Sequence, residues 1–360
     1  MKKIAISIWI ILQATLAISQ PDQSKSPEFI LVKADSVPVI TTKSKGAEDN
    51  KYGFESGTAV KVGDTYHIFI SEIIDDPFWV RMRSGHWTSK DRANWVRVAT
   101  IFESSGDFTG SDPRASLWTP TVVWDEDEGL WNLFYVAYYS EPNTNNQFKL
   151  NHSGRIYRAK SKSKGIEGIN GPYADLGIIM QPGKDSGPWE GLQGVDSFYP
   201  WKVDDTWFAF YGSAKTENTK MKQRVGFAKS KKMDGPWQRL SYISPSKIEE
   251  RFIENPIVTK LPEGGWVCIY DCNTRDAIGW AYSSDGINWG KGQSLIIQNA
   301  SGIWAKDVRT PIGLIHEGGN RFTLFYTGFE TLYDWPGIMK NKIPDGVTCA
   351  IGVAELELRQ

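Results

Sequence analysis

The chain has 360 residues and a formal net charge of −1, with 41 Lys and Arg against 42 Asp and Glu. This balance excludes a strongly basic surface, so neither a nucleic acid nor an anionic membrane is predicted as a partner. Three cysteines are too few for a disulfide framework, and we interpret Cys268 and Cys272 as buried free thiols. The aromatic content is high, with 16 Trp, 14 Tyr and 16 Phe, which favours strands and suits the stacking of sugar rings.

The N-terminal segment has the pattern of a secretory signal peptide. Cationic residues at Met1–Lys3 precede an apolar run, Ile4–Leu16, and small residues follow at Ala17 and Ser19. The apolar run is too short for a lasting membrane span, and the alternative is a buried N-terminal strand. We therefore predict a signal peptide at 1–19, a secreted or periplasmic location, and a single monomeric domain at 20–360.

After this segment, one unit occurs five times. Each copy opens with a short polar group, often followed by Pro, and continues with a strand, a hairpin turn and an aromatic-rich strand. A third strand with small alternating residues follows, and in four copies a Trp or Tyr begins a fourth strand. The copies open at Glu55, Trp118, Asp196, Glu254 and Arg309.

Five four-stranded units of roughly 60 residues predict an all-β, five-bladed β-propeller with antiparallel blades around a central pocket. A large β-sandwich is the alternative, but it does not explain the fivefold repeat. The last unit lacks a fourth strand after Glu355, so we expect a strand from the N-terminal part to complete it. The candidates are Phe29–Val32 and Val37–Ile40.

The opening residues of the five units are the predicted site. The innermost strands of a propeller converge on its axis, so these residues should surround the central pocket. Three carboxylates close together repel each other, and at least one should have a raised pKa. Glycoside hydrolysis uses such a difference, because one carboxylic acid protonates the leaving oxygen while one carboxylate activates water or attacks. Trp118 would be the sugar platform, and Arg309 would bind sugar hydroxyls or fix a carboxylate.

The motifs at these positions resemble the family 43 glycoside hydrolases and their clan relatives, the arabinanases, arabinofuranosidases and xylosidases, or a sister family. The resemblance implies that Asp196, in Asp196-Ser197-Phe198, tunes the general acid, and that Glu254, in Glu254-Asn255-Pro256, is that acid. Glu55 stands where the family has an Asp as general base. The expected reaction is cleavage of a poly- or oligosaccharide of pentose or a related sugar, with inversion if the family mechanism holds.

Three further residues are candidate substrate ligands. Asp112 and Arg114 lie in Ser111-Asp112-Pro113-Arg114, which partly resembles the Arg-Asp-Pro motif of invertase-like propellers, although Asp-Pro is also a common turn. Asp307 shares a face with Arg309 on an extended segment. Trp79 and the segment 333–336 are candidate rims of the sugar cleft.

No metal or cofactor is predicted. The resembled family often holds a cation near the axis with a His of its fifth blade, and this chain has no matching His. Two alternatives to hydrolysis remain open. One is a carbohydrate-binding propeller without turnover; the other is a glycoside phosphorylase, in which Arg81, Arg83 or Arg275 would have to converge on Arg309.

Overall fold

The structure is a computed structural model. It describes residues 27–217, 222–242, 246–250, 252–297, 304–331, 334–342 and 346–359, so the predicted signal peptide at 1–19 lies outside the described residues. The chain is nearly all β, which confirms the predicted class. Within the described ranges, no helix is long and apolar enough to cross a membrane.

The strands fall into groups of four hydrogen-bonded neighbours, numbered I to V, and group V includes the N-terminal strand. Group I contains β2 (Gly53–Val62), β3 (Thr65–Asp75), β4 (Arg81–Ser89) and β5 (Val96–Glu103), and group II contains β6 (Ser116–Asp125), β7 (Leu130–Tyr139), β8 (His152–Ser161) and β9 (Tyr173–Met180). Group III contains β10 (Asp196–Val203), β11 (Thr206–Ala214), β12 (Gln223–Ser230) and β13 (Gln238–Arg239), and group IV contains β14 (Glu254–Lys260), β15 (Trp266–Asp271), β16 (Ala277–Ser283) and β17 (Gln293–Ile296). Group V contains β18 (Asp307–Gly318), β19 (Arg321–Phe329), β20 (Cys349–Arg359) and β1 (Glu28–Ala34). A 3-10 helix (Ile166–Asn170) and a short α-helix, α1 (Trp335–Met339), lie in connecting segments.

Neighbouring strands within every group are antiparallel. A single parallel bridge, Gly53 to Cys349, joins groups I and V into one eight-stranded sheet, while groups II, III and IV are separate sheets. The residue that opens each predicted unit lies on the first strand of a group.

The N-terminal strand β1 is the fourth strand of group V. It pairs with β20 from Glu28–Arg359 to Ala34–Ala354, which confirms the prediction for Phe29–Val32. The other candidate segment, Val37–Ile40, contributes one bridge from Ile40 to Ile351. The first and last parts of the chain are therefore held in the same sheet.

The first strands of the groups pack in a cyclic order. β2 contacts β6, β6 contacts β10, β10 contacts β14, β14 contacts β18, and β18 contacts β2. Each of these strands has a register shift near its start, as expected for a β-bulge. A bulge bends the strand and re-aims a side chain, so the residue that opens each unit need not follow the regular alternation.

Backbone conformation at these bulges is repeated in four groups. The residue after the opening residue has a left-handed φ of 53° at Ser56, 52° at Thr119, 50° at Ser197 and 50° at Asn255. Such a conformation costs a non-glycine residue about 1–2 kcal/mol. Its presence at four equivalent positions indicates that these strand starts are shaped to direct particular side chains toward a common centre.

Short polar side chains connect these strand starts across the centre. Thr119 donates to Ser56 (3.2 Å), Ser197 donates to Asn255 Oδ1 (3.0 Å), and Asn255 Nδ2 donates to Thr310 (3.4 Å). Thr119 Oγ1 also lies 3.3 Å from Asn255 Oδ1. All five residues are buried. This polar network links residues from all five groups and fixes the positions of the side chains beside it.

The anchoring of β1 can be tested at Phe29, which packs edge to face on Trp280 (5.3 Å between centroids) and Phe322 (5.5 Å). Phe29→Ala is expected to lower the free energy of unfolding by about 3–5 kcal/mol, because it removes a buried aromatic ring. Val32→Ala on the same strand is the matched control, since Val32 is 55% exposed, and should change it by less than about 0.5 kcal/mol. Urea unfolding measures the free energy of unfolding of both variants. Equal values for Phe29→Ala and Val32→Ala would contradict this role of β1.

Candidate active site

A cavity of about 560 Å³ lies at the starts of the first strands, within the size range of small-molecule sites. Six of the predicted site residues line it together: Glu55, Trp118, Asp196, Glu254, Asp307 and Arg309. They come from all five groups, as the predicted convergence of the strand starts requires. Their arrangement can therefore be described as one site.

Arg309 is the centre of the charged part of the cavity. Its Nη2 lies 3.1 Å from Glu55 Oε1 and 3.5 Å from Glu254 Oε2, and its Nη1 lies 2.7 Å from Asp271 Oδ2. The guanidinium side chain is only 11% exposed. One buried cation is thus shared by three carboxyl groups, and it holds Glu55 and Glu254 on the same nitrogen.

Asp271 is a member of this cluster that the sequence analysis missed. It ends β15, lies opposite Glu254 in the strand register, and is 1% exposed. Its Oδ1 accepts the backbone N–H of Asn273 at 2.7 Å. The sequence carries one indication of this residue, a single Asp at the end of an apolar strand. A carboxylate buried at such a position requires a partner.

Glu55 is held at both oxygens. Oε1 accepts hydrogen bonds from Arg309, and Oε2 accepts one from Trp79 Nε1 at 3.0 Å. Burial raises the pKa of Glu55, and the neighbouring Arg309 and the indole N–H partly offset this, while Asp271 adds to it. The carboxyl group is therefore fixed in one orientation at the cavity wall.

Glu254 has the environment of a protonated acid. Burial raises its pKa well above the ordinary range, and the negative charges of Asp196, Asp271 and Glu55 raise it further against the opposing effect of Arg309. Its side chain is 14% exposed, compared with 4% for Glu55. Glu254 therefore lines the cavity in surroundings that favour its protonated form.

Asp196 lies among hydrogen-bond donors. Its Oδ1 accepts the backbone N–H of Ser197 at 2.7 Å, and its Oδ2 lies 3.4 Å from Gln193 Nε2. The hydroxyl of Tyr138 is a further partner. Burial raises the pKa of Asp196, and these donors oppose the increase. Asp196 is thus placed to act on Glu254 through its charge while its own orientation is fixed.

Asp307 lines the cavity with Asn273 and Arg275. Burial raises the pKa of Asp307 to about 6, and the nearby Arg309 and Arg275 oppose the increase. Arg275 is exposed, whereas the Arg309 side chain is only 11% exposed. This side of the cavity is polar and carries groups of both signs.

The aromatic part of the cavity is formed by Trp79, Trp118, Phe148 and Trp335. Trp79 lies 6.2 Å from both Trp118 and Trp335 between ring centroids, and Phe148 stacks on Trp335 at 5.5 Å. Trp118 and Trp79 lie where the sequence analysis expected a platform and a rim. Phe148 was missed, because it lies in a polar loop with no repeat signal. Such rings offer apolar faces on which a sugar can stack.

Two loops that carry this aromatic wall are joined by paired asparagines. Asn143 donates from its backbone to Asn341 Oδ1 (2.7 Å) and from Nδ2 to the carbonyl of Ile338 (3.0 Å), while Asn341 Nδ2 donates to the carbonyl of Asn143 (2.9 Å). Asn143 Oδ1 also accepts the backbone N–H groups of Lys149 and Leu150. The loop between β7 and β8 is therefore connected to α1 and the segment after it, next to the cavity.

This connection predicts a local change in backbone protection. Asn143→Ala should speed amide hydrogen exchange at Lys149 and Leu150 by about tenfold or more, because both amides lose their acceptor. Asn146→Ala, an exposed asparagine of the same loop, is the control and should leave these rates unchanged. Exchange read by NMR or mass spectrometry measures the effect. Native protection in Asn143→Ala would show that the connection does not order the loop.

Two predicted substrate ligands are not in the cavity. Asp112 and Arg114 are absent from its lining. The Asp112 side chain accepts the backbone N–H of Arg114 at 2.8 Å, which is the turn alternative for this motif. Arg114 pairs with Asp175 and lies 4.4 Å from the ring of Tyr157. The partial motif match thus reflects a turn on group II, and the structure places neither residue with the other predicted ligands.

Within the part of the chain that the structure describes, no group of three or more His, Cys, Asp or Glu side chains is arranged to hold a metal ion. The cysteines of the described ranges are free, with Cys268 and Cys349 buried.

Comparison with solved structures finds this arrangement of strands in glycoside hydrolases. The match to a family 117 glycoside hydrolase from the marine bacterium Zobellia galactanivorans has a TM-score of 0.59 at 14% identity and covers 92% of this chain and 90% of that one. The match to an α-L-arabinofuranosidase from Podospora anserina has a TM-score of 0.56 at 14% identity and covers 89% and 95%. The chain has their fold.

A third similar structure is an exo-β-1,3-galactanase from Phanerochaete chrysosporium, with a TM-score of 0.52 at 12% identity. That match covers 92% of this chain and 64% of the galactanase, so this chain spans less than two thirds of that protein. Comparisons by sequence gave no matching family model and no matching curated protein. The predicted resemblance to propeller-type glycoside hydrolases is confirmed at the level of the fold.

Proposed function

We propose that this protein is a glycoside hydrolase that cleaves glycosidic bonds in a neutral poly- or oligosaccharide. The observation that carries the proposal is the pair of acids on Arg309: Glu254, whose pKa is raised well above the ordinary range, and Glu55, which is fixed by Arg309 and Trp79. Glycosidases require an acid and a base of this kind on one cavity. The shared fold with glycoside hydrolases supports the same activity.

We also propose that the five strand groups are the blades of a five-bladed β-propeller. The cyclic packing of β2, β6, β10, β14 and β18 supports this arrangement, as do the hydrogen bonds of the polar network. In such a fold the pairing of β1 with β20 would close the ring by joining the two ends of the chain in one blade. The cavity would then lie on the propeller axis.

In the proposed reaction, Glu254 donates its proton to the glycosidic oxygen as the bond from that oxygen to the anomeric carbon breaks. Glu55 accepts a proton from a water molecule, which forms the new bond to the anomeric carbon. The negative charge of Asp196 keeps the pKa of Glu254 high. Attack of water on the face opposite the leaving group would invert the anomeric configuration.

The location remains a proposal from the N-terminal sequence. A cationic start and an apolar run, Ile4–Leu16, favour export with cleavage after residue 19. An exported hydrolase would meet polysaccharides outside the cytoplasm.

A phosphorylase is less consistent with the positions of the arginines. Arg81 pairs with Glu103, and Arg83 pairs with Glu72 and Asp49, and neither lines the cavity. Among the described residues, Arg275 is the arginine that joins Arg309 there. The convergence of arginines that a phosphate subsite would require is therefore not formed by Arg81 or Arg83.

Removal of either proton-transferring group tests the proposed activity. Glu254→Gln and Glu55→Gln should each lower kcat by about 100-fold or more, because general acid or base catalysis is lost while the side-chain shape is kept. Asp64→Asn, an exposed carboxylate in the turn after β2, should retain native activity. Product release from a panel of polysaccharides and aryl glycosides measures this. Native turnover by Glu254→Gln would refute the assignment of the acid.

Asp271 provides a test through pH. Its charge raises the pKa of Glu254, so Asp271→Asn should lower that pKa. Activity that needs protonated Glu254 is lost as the pH rises through this pKa, and the basic limb of the pH–rate profile should therefore move to lower pH. Asp64→Asn again serves as the control. An unchanged or upward shift of the basic limb in Asp271→Asn would contradict the proposed electrostatic coupling.

A further inference from the structure

One wall of the cavity carries buried polar atoms that the proposed reaction does not use. Gln193 and Gln223 both line the cavity and are 7% and 5% exposed. Gln193 Oε1 and Gln223 Oε1 have no hydrogen-bond partner in the described part of the protein. The indole Nε1 of Trp118 also lacks one and belongs to the same lining. Buried polar groups are almost always hydrogen-bonded, so three such atoms on one cavity indicate a ligand that completes them.

The two glutamines are held next to each other by the backbone of group III. Gln223 is paired with Ala214 in the register of β11 and β12, and Gln193 donates its backbone N–H to the carbonyl of Ala214 at 3.3 Å. The backbone carbonyl of Gln193 accepts from Gly154 at 2.7 Å. Both side chains therefore project from ordered backbone, as a preformed binding surface requires.

This wall of the cavity lies next to Asp196. Gln193 Nε2 lies 3.4 Å from Asp196 Oδ2, so the free end of the same amide is adjacent to the carboxyl group that acts on Glu254. Trp118 presents its ring beside Trp79. A sugar ring that stacks on this aromatic part of the cavity would bring its hydroxyl groups toward the amides.

The chemistry of these atoms selects the type of ligand. A primary amide offers one acceptor and two donors, and an indole N–H offers one donor, which matches the hydroxyl groups of an uncharged sugar. Four carboxyl groups line the cavity, from Glu55, Asp196, Glu254 and Asp307, against the guanidinium groups of Arg275 and Arg309. Arg309 is already shared by three carboxyl groups. An anionic sugar would therefore meet an excess of acidic groups.

We propose that Gln193, Gln223 and the indole N–H of Trp118 form a subsite that binds the hydroxyl groups of a neutral sugar ring beside Asp196. This proposal rests on the proposed function, and it assigns substrate recognition to residues outside the proton-transferring pair. The subsite decides which sugar is accepted, because a site built to bond a hydroxyl group rejects an analogue that lacks it.

The experiment uses 4-nitrophenyl glycosides of neutral pentoses and hexoses, namely arabinofuranoside, xylopyranoside and galactopyranoside, with the glucuronide as the charged probe. Gln193→Met, Gln223→Met and Trp118→Phe each remove hydrogen-bonding atoms and keep most of the side-chain volume. Each should lower kcat/KM on the preferred neutral glycoside by about 10- to 100-fold, and Gln223→Met and Trp118→Phe should do so without moving the pH profile. Gln238→Met is the matched control, because Gln238 is exposed on the outer strand of the same group.

Deoxy forms of the preferred glycoside show whether a variant has lost a hydrogen bond to one sugar hydroxyl or has only a disturbed structure. The native protein should discriminate strongly against at least one deoxy position, and the variant that has lost the partner of that hydroxyl should discriminate less. Trp118→Phe keeps an aromatic ring and removes the N–H donor together with part of the indole ring. Thermal unfolding confirms that the variants are folded.

The outcomes are distinct. Native kcat/KM and native discrimination in all three variants would overturn the subsite and leave the proposed hydrolase intact. Equal or better turnover of the glucuronide by the native protein would overturn the preference for a neutral sugar. If the native protein neither hydrolyses nor binds any of these glycosides, both the proposed function and this inference are wrong.

Discussion

The site depends on a single buried cation that several acids share. Arg309 contacts Glu55, Glu254 and Asp271, and the charge of Asp196 also acts on Glu254. Burial raises the pKa of Glu254, and the neighbouring carboxyl groups raise it further against the opposing effect of Arg309. These surroundings favour the protonated form of Glu254. The same cation fixes Glu55, so the protonation of one acid and the position of the other have a common origin.

The fold maintains this cluster at a local conformational cost. Ser56, Thr119, Ser197 and Asn255 each adopt a left-handed backbone conformation directly after a residue that lines the cavity. Their side chains then form the hydrogen-bonded polar network with Thr310. The groups that face the cavity and the groups that stabilise the strand starts are therefore neighbours in sequence. The geometry of the site and the packing of the strand starts therefore depend on the same bulges.

Much of this arrangement could be predicted from the sequence, because it repeats. The opening residues of the units, the strands that follow them and the closing strand at Phe29 all follow from regular spacing and strand patterns. Gln193 and Gln223 carry no such signal, since they lie outside the repeated motif. They come together because the backbone of each one pairs with Ala214. Asp112 was predicted as a substrate ligand from a short motif, but its side chain accepts a hydrogen bond within a turn. A short motif match indicates a turn as readily as a ligand.

The protonation state of Glu254 is the central claim, and it can be observed directly. The chemical shift of its side-chain carboxyl carbon can be followed by NMR as a function of pH in protein labelled with ¹³C at glutamate, with Glu254→Gln used to assign the signal. We predict the shift of a protonated carboxylic acid at neutral pH, with a midpoint well above that of an ordinary glutamate. A carboxylate shift at neutral pH, with a midpoint near about 4.3, would contradict the account.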